Sequence, residues 1–482
     1  MTLDARTLGL IAGPLISITM MLFPGSGGLP HAAWMTAACM VWMAVWWVTE
    51  ATSVSVTALL PIVLFPLVGI SDVKTVTSSF AHPSIYLFMG GFLLALSIEK
   101  WNLHKRIALF ILLRMGGTAS AMIFGFMLVA ALLSMWISNT ATTMMLLPIG
   151  LAIISMIDET VEADHEEKRK FKIALLLSIA YAATIGGVAT LIGTPPNTLM
   201  AGYLEEQHNI QLGFAQWMSV GLPVTFIMLP LVWLILTRVL FRLNFSTKDA
   251  RQTLLGMQSS LGSMAREEKM IAIVFFITAM SWAFRPLLDN LPGLSKLSDT
   301  GIAMMAGLSL FLLPAPSNKG QRLLEWEDTR RLPWGILILF GGGLALAAAV
   351  GYSGLAEAIG NWVTAMGIVK VGLLVIVVAT IIIFMTEFTG NLAVAATFFP
   401  IIGAVAVSAG LDPVTLIVPV ALAASCAFML PVATPPNAIV YGAGVITIPQ
   451  MAKAGFWLNV IGITVVSLVS IFVVPVLLTT GI

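Results

Sequence analysis

Long apolar runs separated by short polar stretches govern the chain from end to end, near 7–23, 32–49, 53–71, 83–99, 173–203, 213–240, 270–288, 300–315, 333–350, 414–445 and 455–479. A helix of about 20 residues crosses about 30 Å of hydrocarbon at about 1.5 Å per residue. The pattern therefore predicts an all-α polytopic membrane protein with eleven crossings. Two further segments, 119–156 and 371–409, are each about twice a span long and are interrupted at Ser138-Asn139-Thr140 and Gly390-Asn391-Leu392. Each is either two crossings or one re-entrant hairpin, and both readings leave the sidedness of every other loop unchanged.

That sidedness is testable by the Lys/Arg bias of cytoplasmic loops. With the N-terminus inside, 20 of the 24 basic residues fall on the inner face, and only Lys74, Arg285, Lys296 and Lys370 fall outside. The reading is N-terminus in, C-terminus out. The charged stretch 158–172 places Asp164 with Lys168 and Glu166 with Lys170 at i,i+4 spacing, which suits a short helix at the inner surface as well as a solvated connector. The polar segment 248–269 divides the chain near its midpoint and reads as a linker.

Composition narrows the class. Hydrophobic residues make up 59% of the chain and charged residues 10%, with a net charge of +1, so no electrostatic attraction to nucleic acid is expected. Cys39 and Cys426 both lie in apolar runs and are read as small hydrophobes. The N-terminal apolar stretch lacks a cleavage signal at the right distance and reads as a first span.

The two halves align at a constant offset of 252, which carries Gly90-Gly91 onto Gly342-Gly343, Ser134 onto Thr386, Asn139 onto Asn391 and Pro148 onto Pro400. After a 12-residue contraction, Thr194-Pro195-Pro196-Asn197 matches Thr434-Pro435-Pro436-Asn437. Five crossings separate Asn139 from Asn391, so the second copy is inverted. The expected division is an N-terminal helix (1–30), a first repeat (31–247, with hairpin 119–156 and broken helix 173–203), the linker (248–269) and a second repeat (270–482, with hairpin 371–409 and broken helix 414–445). Such inverted repeats bring their discontinuous helices together near the bilayer midplane, around substrate and coupling ion.

Each Thr-Pro-Pro ends one half-helix and starts another, because proline removes a donor and fits the first helical position. The four resulting helix N-termini present free N–H groups and partial positive charge to an anion such as a carboxylate. Hydroxyls, Asn side-chain oxygens and unwound carbonyls beside them are hard donors suited to Na⁺. No Asp or Glu sits at the four breaks, and Glu387 is the one acid within a hairpin. It is expected to face the protein interior or a hydrated cavity. Glu50, after Trp46-Trp47, reads as an inner helix end, and the Gly pairs as close helix contacts. Gly351-Tyr352-Ser353-Gly354 has the look of a serine-protease motif, but no histidine follows residue 208. Neither a zinc-protease nor a phosphate-loop pattern occurs. The chain is read as a transporter, not an enzyme, with a channel as the rival that concentrative uptake would exclude.

Trp46-Trp47-Val48-Thr49-Glu50, Thr57-Ala58-Leu59-Leu60-Pro61, Ser138-Asn139-Thr140, Gly193-Thr194-Pro195-Pro196-Asn197 and Ala433-Thr434-Pro435-Pro436-Asn437, in that order, resemble the divalent anion/sodium symporter family over essentially the whole chain. The resemblance implies re-entrant hairpins and a homodimer in which a transport domain moves as an elevator against a fixed scaffold. It implies a first sodium site at Ser134, Ser138, Asn139 and Gly193, and a second at Thr386, Thr389, Asn391 and Ala433. It places the substrate anion against Ser138, Asn139, Thr140, Thr194 and Pro195 on one side and Asn391, Leu392, Thr434 and Pro435 on the other. The family's second Ser-Asn-Thr is Gly390-Asn391-Leu392 here, which loosens the choice of anion. The expected function is Na⁺-coupled symport of small di- or tricarboxylates in a prokaryotic-type cytoplasmic membrane, with the succinate, malate and fumarate class first and citrate within range. A Na⁺-independent exchanger or a sulfate carrier on the same scaffold is the alternative.

Overall fold

A computed structural model describes residues 4–23, 28–115, 117–161, 164–247, 249–294, 296–317, 320–365 and 370–478. Lys248 and Lys319 of the basic set, the two ends of the chain, and residues 162 and 163 of the charged stretch lie outside the described residues. Among the described residues the regular elements are helices, with strand pairing limited to two isolated bridges. Nine of these helices are long and apolar enough to cross a membrane. The remaining expected crossings are present in altered form, each for a local reason. The run 53–71 divides into Val54–Thr57 and Leu60–Leu67, the second carrying Pro61 and Pro66. The run 270–288 begins early, at Arg266, so that Arg266, Glu267, Glu268 and Lys269 form its first turn. Asp299–Leu312 is a short helix capped by Ser298, and 414–445 is two short helices.

Both interrupted segments fold as two helices joined at the interruption, Ala119–Ser134 with Asn139–Thr160 and Val371–Met385 with Asn391–Ser408. Their first arms hold 16 and 15 residues, a rise of only about 22–24 Å. That stops short of a full crossing, whereas the return arms of 22 and 18 residues are among the nine helices long enough to span. The broken helices run His165–Gly187 then Pro195–His208, and Pro413–Ala424 then Pro435–Gly442. The Pro pairs open the second halves, where their missing donors and fixed φ cost least.

The copies interlock. The return arm Asn139–Thr160 packs along Pro435–Gly442, and the return arm Asn391–Ser408 packs along Pro195–His208. Each hairpin thus leans on the other copy's broken helix. Close helix contact at the expected glycines helps to hold this frame: a Cβ on Gly90 would lie 2.6 Å from the Ala303 carbonyl carbon, and one on Gly342 would lie 2.3 Å from the Ala58 oxygen.

Four segments differ from the sequence expectation. The stretch 158–172 is not a separate surface helix, because His165–Gly187 runs continuously from it into the bilayer. Glu166 pairs with Arg169 at 2.9 Å and Lys170 at 3.9 Å, while Lys172 reaches Asp158 at 2.6 Å. The linker contains a helix, Ala250–Ser260, whose Ala250 and Leu254 are buried. Two amphipathic helices absent from the expected spans, Leu103–Leu112 and Leu355–Ala365, occupy matching places in the two repeats. Arg106 on the first binds Glu268 at 2.7 Å and the Gly262 carbonyl at 3.1 Å, fastening it to the linker. Glu50 ends its helix in the left-handed region and pairs with Arg6 at 3.1 Å, as a helix-end role predicts.

Candidate functional site

At the first hairpin tip Ser138 is the N-cap of Asn139–Thr160, its hydroxyl accepting from the Ala141 N–H at 3.2 Å. Ser134, one turn before the tip, donates to Asn139 Oδ1 at 2.5 Å. The tip lies against the first break. A Cβ built on Gly187 would fall 2.6 Å from Asn139 Oδ1 and 3.0 Å from the Gly193 carbonyl oxygen, so these two oxygens share a small cradle beside a residue that has no side chain to fill it. Ser134, Asn139 and Gly193 are thereby brought together. Trp136 fixes the tip from the other side, stacked on Trp282 and set edge-on to Phe275.

The second tip repeats the chemistry. Thr386 Oγ1 lies 2.8 Å from Asn391 Oδ1 and 3.0 Å from the Ala424 carbonyl. One hydroxyl hydrogen serves two acceptors here, an oxygen surplus that a hard cation resolves. Thr389 and Ala433 are buried, but the Thr389 hydroxyl turns back to the Met385 carbonyl at 3.3 Å and the Ala433 N–H goes to Leu430. No hydrogen bond among the described residues joins either to Thr386 or Asn391.

Each break is braced by an asparagine that the sequence marked only as part of the Thr-Pro-Pro-Asn motif. Asn197 Nδ2 donates to the carbonyls of Gly187 at 3.3 Å and Thr190 at 2.8 Å; Asn437 Nδ2 donates to those of Ala427 at 3.3 Å and Leu430 at 3.1 Å. Donor and acceptors are displaced alike, by 240 positions, which is the sequence offset after its contraction. The capping is less regular: Thr434 accepts from the Asn437 N–H at 3.3 Å, whereas Thr194 makes no such bond. Thr190, unmarked by any motif, donates to the Met135 carbonyl at 2.6 Å and accepts from the Gly193 N–H at 3.1 Å, tying the first tip to its break.

Of the residues expected to meet an anion, Ser138, Asn139, Thr140, Pro195 and Asn391 are half-buried and Pro435 is exposed, while Thr194 and Thr434 lie buried beneath them. Leu392 packs into the apolar core, 8% exposed. Gly390 is open, with nothing within 4 Å of an added Cβ. Glu387 is 1% exposed and faces the interior, as expected, where its carboxylate accepts from the N–H groups of Phe428, Met429 and Leu430 and from Asn459. The Ser353 hydroxyl accepts from the Leu355 N–H at 3.4 Å, the role of a helix-start residue. No group of three His, Cys, Asp or Glu among the described residues is placed to hold a metal ion. The candidate site is made of hydroxyls, amides, carbonyls and helix N-termini, a donor set chemically suited to a hard cation and to a carboxylate.

A family model described as the sodium:sulfate symporter transmembrane region matches residues 4–479. The chain is 42% identical over 478 residues to the sodium-dependent dicarboxylate transporter SdcS of Staphylococcus aureus strain USA300, an alignment covering 98% of this chain and 92% of that protein. It is 41% identical over 475 residues to the protein of the same name from Staphylococcus saprophyticus subsp. saprophyticus, again over 98% and 92%. Among solved structures, the YdaH transporter of Alcanivorax borkumensis, described as having an unusual topology, superposes with a TM-score of 0.59 over 82% of this chain and 86% of that one. At 17% identity, that likeness speaks for the fold alone.

Proposed function

This chain belongs to the sodium:sulfate symporter family, and on that premise we propose how its residues divide the work. It is a secondary-active, sodium-coupled symporter of small di- or tricarboxylate anions in a membrane that it crosses many times. The observation that carries the site reading is the duplicated hydroxyl–asparagine pair, Ser134 with Asn139 and Thr386 with Asn391, each at a hairpin tip beside a helix break. In our reading Ser134, Ser138, Asn139 and the Gly193 carbonyl hold one sodium ion. Thr386, Thr389, Asn391 and the Ala433 carbonyl hold the other, with the Ala424 carbonyl added to that set. The anion lies between, against Ser138, Asn139, Thr140, Thr194 and Pro195 and against Asn391, Thr434 and Pro435.

The ions come first. With no Lys, Arg or His among these residues, the anion's charge is met by helix N-termini and by the bound cations, so binding of one favours the other. We place the N-terminus in the cytoplasm and the C-terminus outside, on the distribution of basic residues. We assign the hairpins and broken helices to a moving body within a homodimer, and keep the repeat boundaries at 31–247 and 270–482. We read transport in place of enzymatic turnover from the same donor set, whose serine and threonine hydroxyls have no Asp, Glu, His or Lys among them to act as base.

Succinate uptake into proteoliposomes is expected in Na⁺ and absent in choline, and each net positive charge carried inward adds about 2.3 kcal/mol of drive per 100 mV. Equal rates in the two media would sink the coupling. Selectivity is read at the altered tip. Because Gly390 has room for a side chain, Gly390→Ser restores a hydroxyl without strain. The expected result, alone or with Leu392→Thr, is a changed rank order among succinate, citrate and sulfate of about tenfold, the worth of one hydrogen bond to a charged group. An unchanged order would remove this tip from the anion site.

A further inference from the structure

We propose that Glu387 is a positioning residue for the second cation set, an inference that rests on the assignment of that set to Thr386, Thr389, Asn391 and Ala433. The stretch between Pro413–Ala424 and Pro435–Gly442 has no regular secondary structure at 426–428. The N–H groups of Phe428, Met429 and Leu430 point to one carboxylate, at 2.7 Å from Oε1, at 3.0 and 2.9 Å from the two oxygens, and at 3.1 Å from Oε2. Asn459 Nδ2, from the helix Ile448–Phe472, adds a contact to Oε1 at 2.7 Å. All of these partners are donors, so the ionised carboxylate is the form that fits, and it removes the penalty for unpaired backbone amides inside a membrane.

The other edge of the stretch is held by Asn437, through the Ala427 and Leu430 carbonyls. Residues 427–430 are therefore gripped by their amides from Glu387 and by their carbonyls from Asn437. Thr386, adjacent to Glu387 in the chain, touches Asn391 and the Ala424 carbonyl. One turn of the second hairpin thus sets the path of the unwound backbone and supplies oxygens to the cation set.

The first copy has no counterpart. Offset 252 carries Glu387 back to Met135, and there the break satisfies itself: Val188 and Ala189 donate to Ile185 and Gly186, and Gly193 to the Thr190 hydroxyl. The acid is present where the break's amides turn to a side chain and absent where Val188 and Ala189 pair with their own preceding turn. Geometry at the second cation set consequently depends on a buried charge, and geometry at the first does not.

The test is the Na⁺ dependence of succinate uptake by the full-length protein in proteoliposomes, with Glu387→Gln. Glutamine turns two donors toward backbone donors, so the half-saturating Na⁺ concentration is expected to rise by about tenfold or more, with a smaller loss of maximum rate. Glu387→Asp, charged but shorter, is expected to fall in between. Cys426 in the same stretch is 2% exposed and Cys39 is fully buried, so the parent protein should resist maleimide and Glu387→Gln should react. If Glu387→Gln cannot be recovered from the membrane, Asn459→Ala, which removes one donor and leaves the carboxylate, is expected to raise half-saturation about threefold. A wild-type Na⁺ curve with an unreactive Cys426, or a fall in maximum rate at unchanged half-saturation, overturns the positioning role. Wild-type Na⁺ dependence in Asn391→Ala instead overturns the cation assignment on which it rests.

Discussion

Asn139→Ala and Asn391→Ala are each expected to reduce Na⁺-driven uptake in proteoliposomes by about 100-fold or more. Each asparagine presents Oδ1 to a neighbouring hydroxyl, Ser134 at 2.5 Å and Thr386 at 2.8 Å, at the tip where a helix N-terminus begins. Alanine removes the oxygen, which leaves the Ser134 hydroxyl without its acceptor, while Thr386 keeps the Ala424 carbonyl. Loss of a bond to a charged group is worth roughly 1.5–3 kcal/mol, and the orphaned Ser134 hydroxyl adds to it, which together span a factor of about 100. The variants are expected to remain folded, since both residues are half-buried at hairpin tips outside the apolar core. Size-exclusion profiles like the parent's, with uptake lost, are the expected pair of results. Wild-type transport by either variant would remove that tip from the site.

Gly193→Ala is the second large effect, and it acts through the backbone. A Cβ there would sit 2.4 Å from the Gly187 oxygen and 2.9 Å from its Cα. Neither atom is the end of a flexible side chain, so the two sides of the break must part. Overpacking of this kind costs about 1–3 kcal/mol, and the displacement falls on the cradle where Asn139 Oδ1 meets the Gly193 carbonyl. The expected outcome is uptake at background with a thermal midpoint lowered by several degrees. Gly390→Ala, at the second tip, meets nothing within 4 Å and is expected to keep the parent's midpoint. Equal stability of the two variants would mean that the first break is not closed around Gly187.

Much of this arrangement is readable from the chain because it is written twice. A single Thr-Pro-Pro or Ser-Asn-Thr is ambiguous, but Asn139 and Asn391 at offset 252, with the Thr-Pro-Pro-Asn pair at 240, mark hairpins, breaks and inversion together. The side chains that brace the site are harder to read. Thr190 acts through a carbonyl 55 residues away, and Glu387 through amides 41 to 43 residues away and an asparagine 72 away. Backbone partners leave no pattern in a sequence. Leu103–Leu112 and Leu355–Ala365 escape for another reason: 10 or 11 residues with one polar face fall below the length at which a hydropathy run signals a span. Leu392 shows the converse limit. The repeat pairs it with Thr140 at a tip, yet replacing a hydroxyl with a butyl group sends the side chain into the core.

The interlocked packing of the copies also sets an order of events in time. The return arm of the first hairpin, ending at Thr160, packs on His165–Gly187 within its own repeat, but its contact with Pro435–Gly442 waits until that helix has been made. At about 5–20 residues per second, translation reaches that partner on the order of 14–55 s later. Until then a face destined for protein is left to lipid or to the insertion machinery. Contacts of such long sequence separation form late, so the first repeat cannot complete its tertiary structure during its own synthesis, and a chain stopped before residue 435 would be a membrane-inserted intermediate without a closed site.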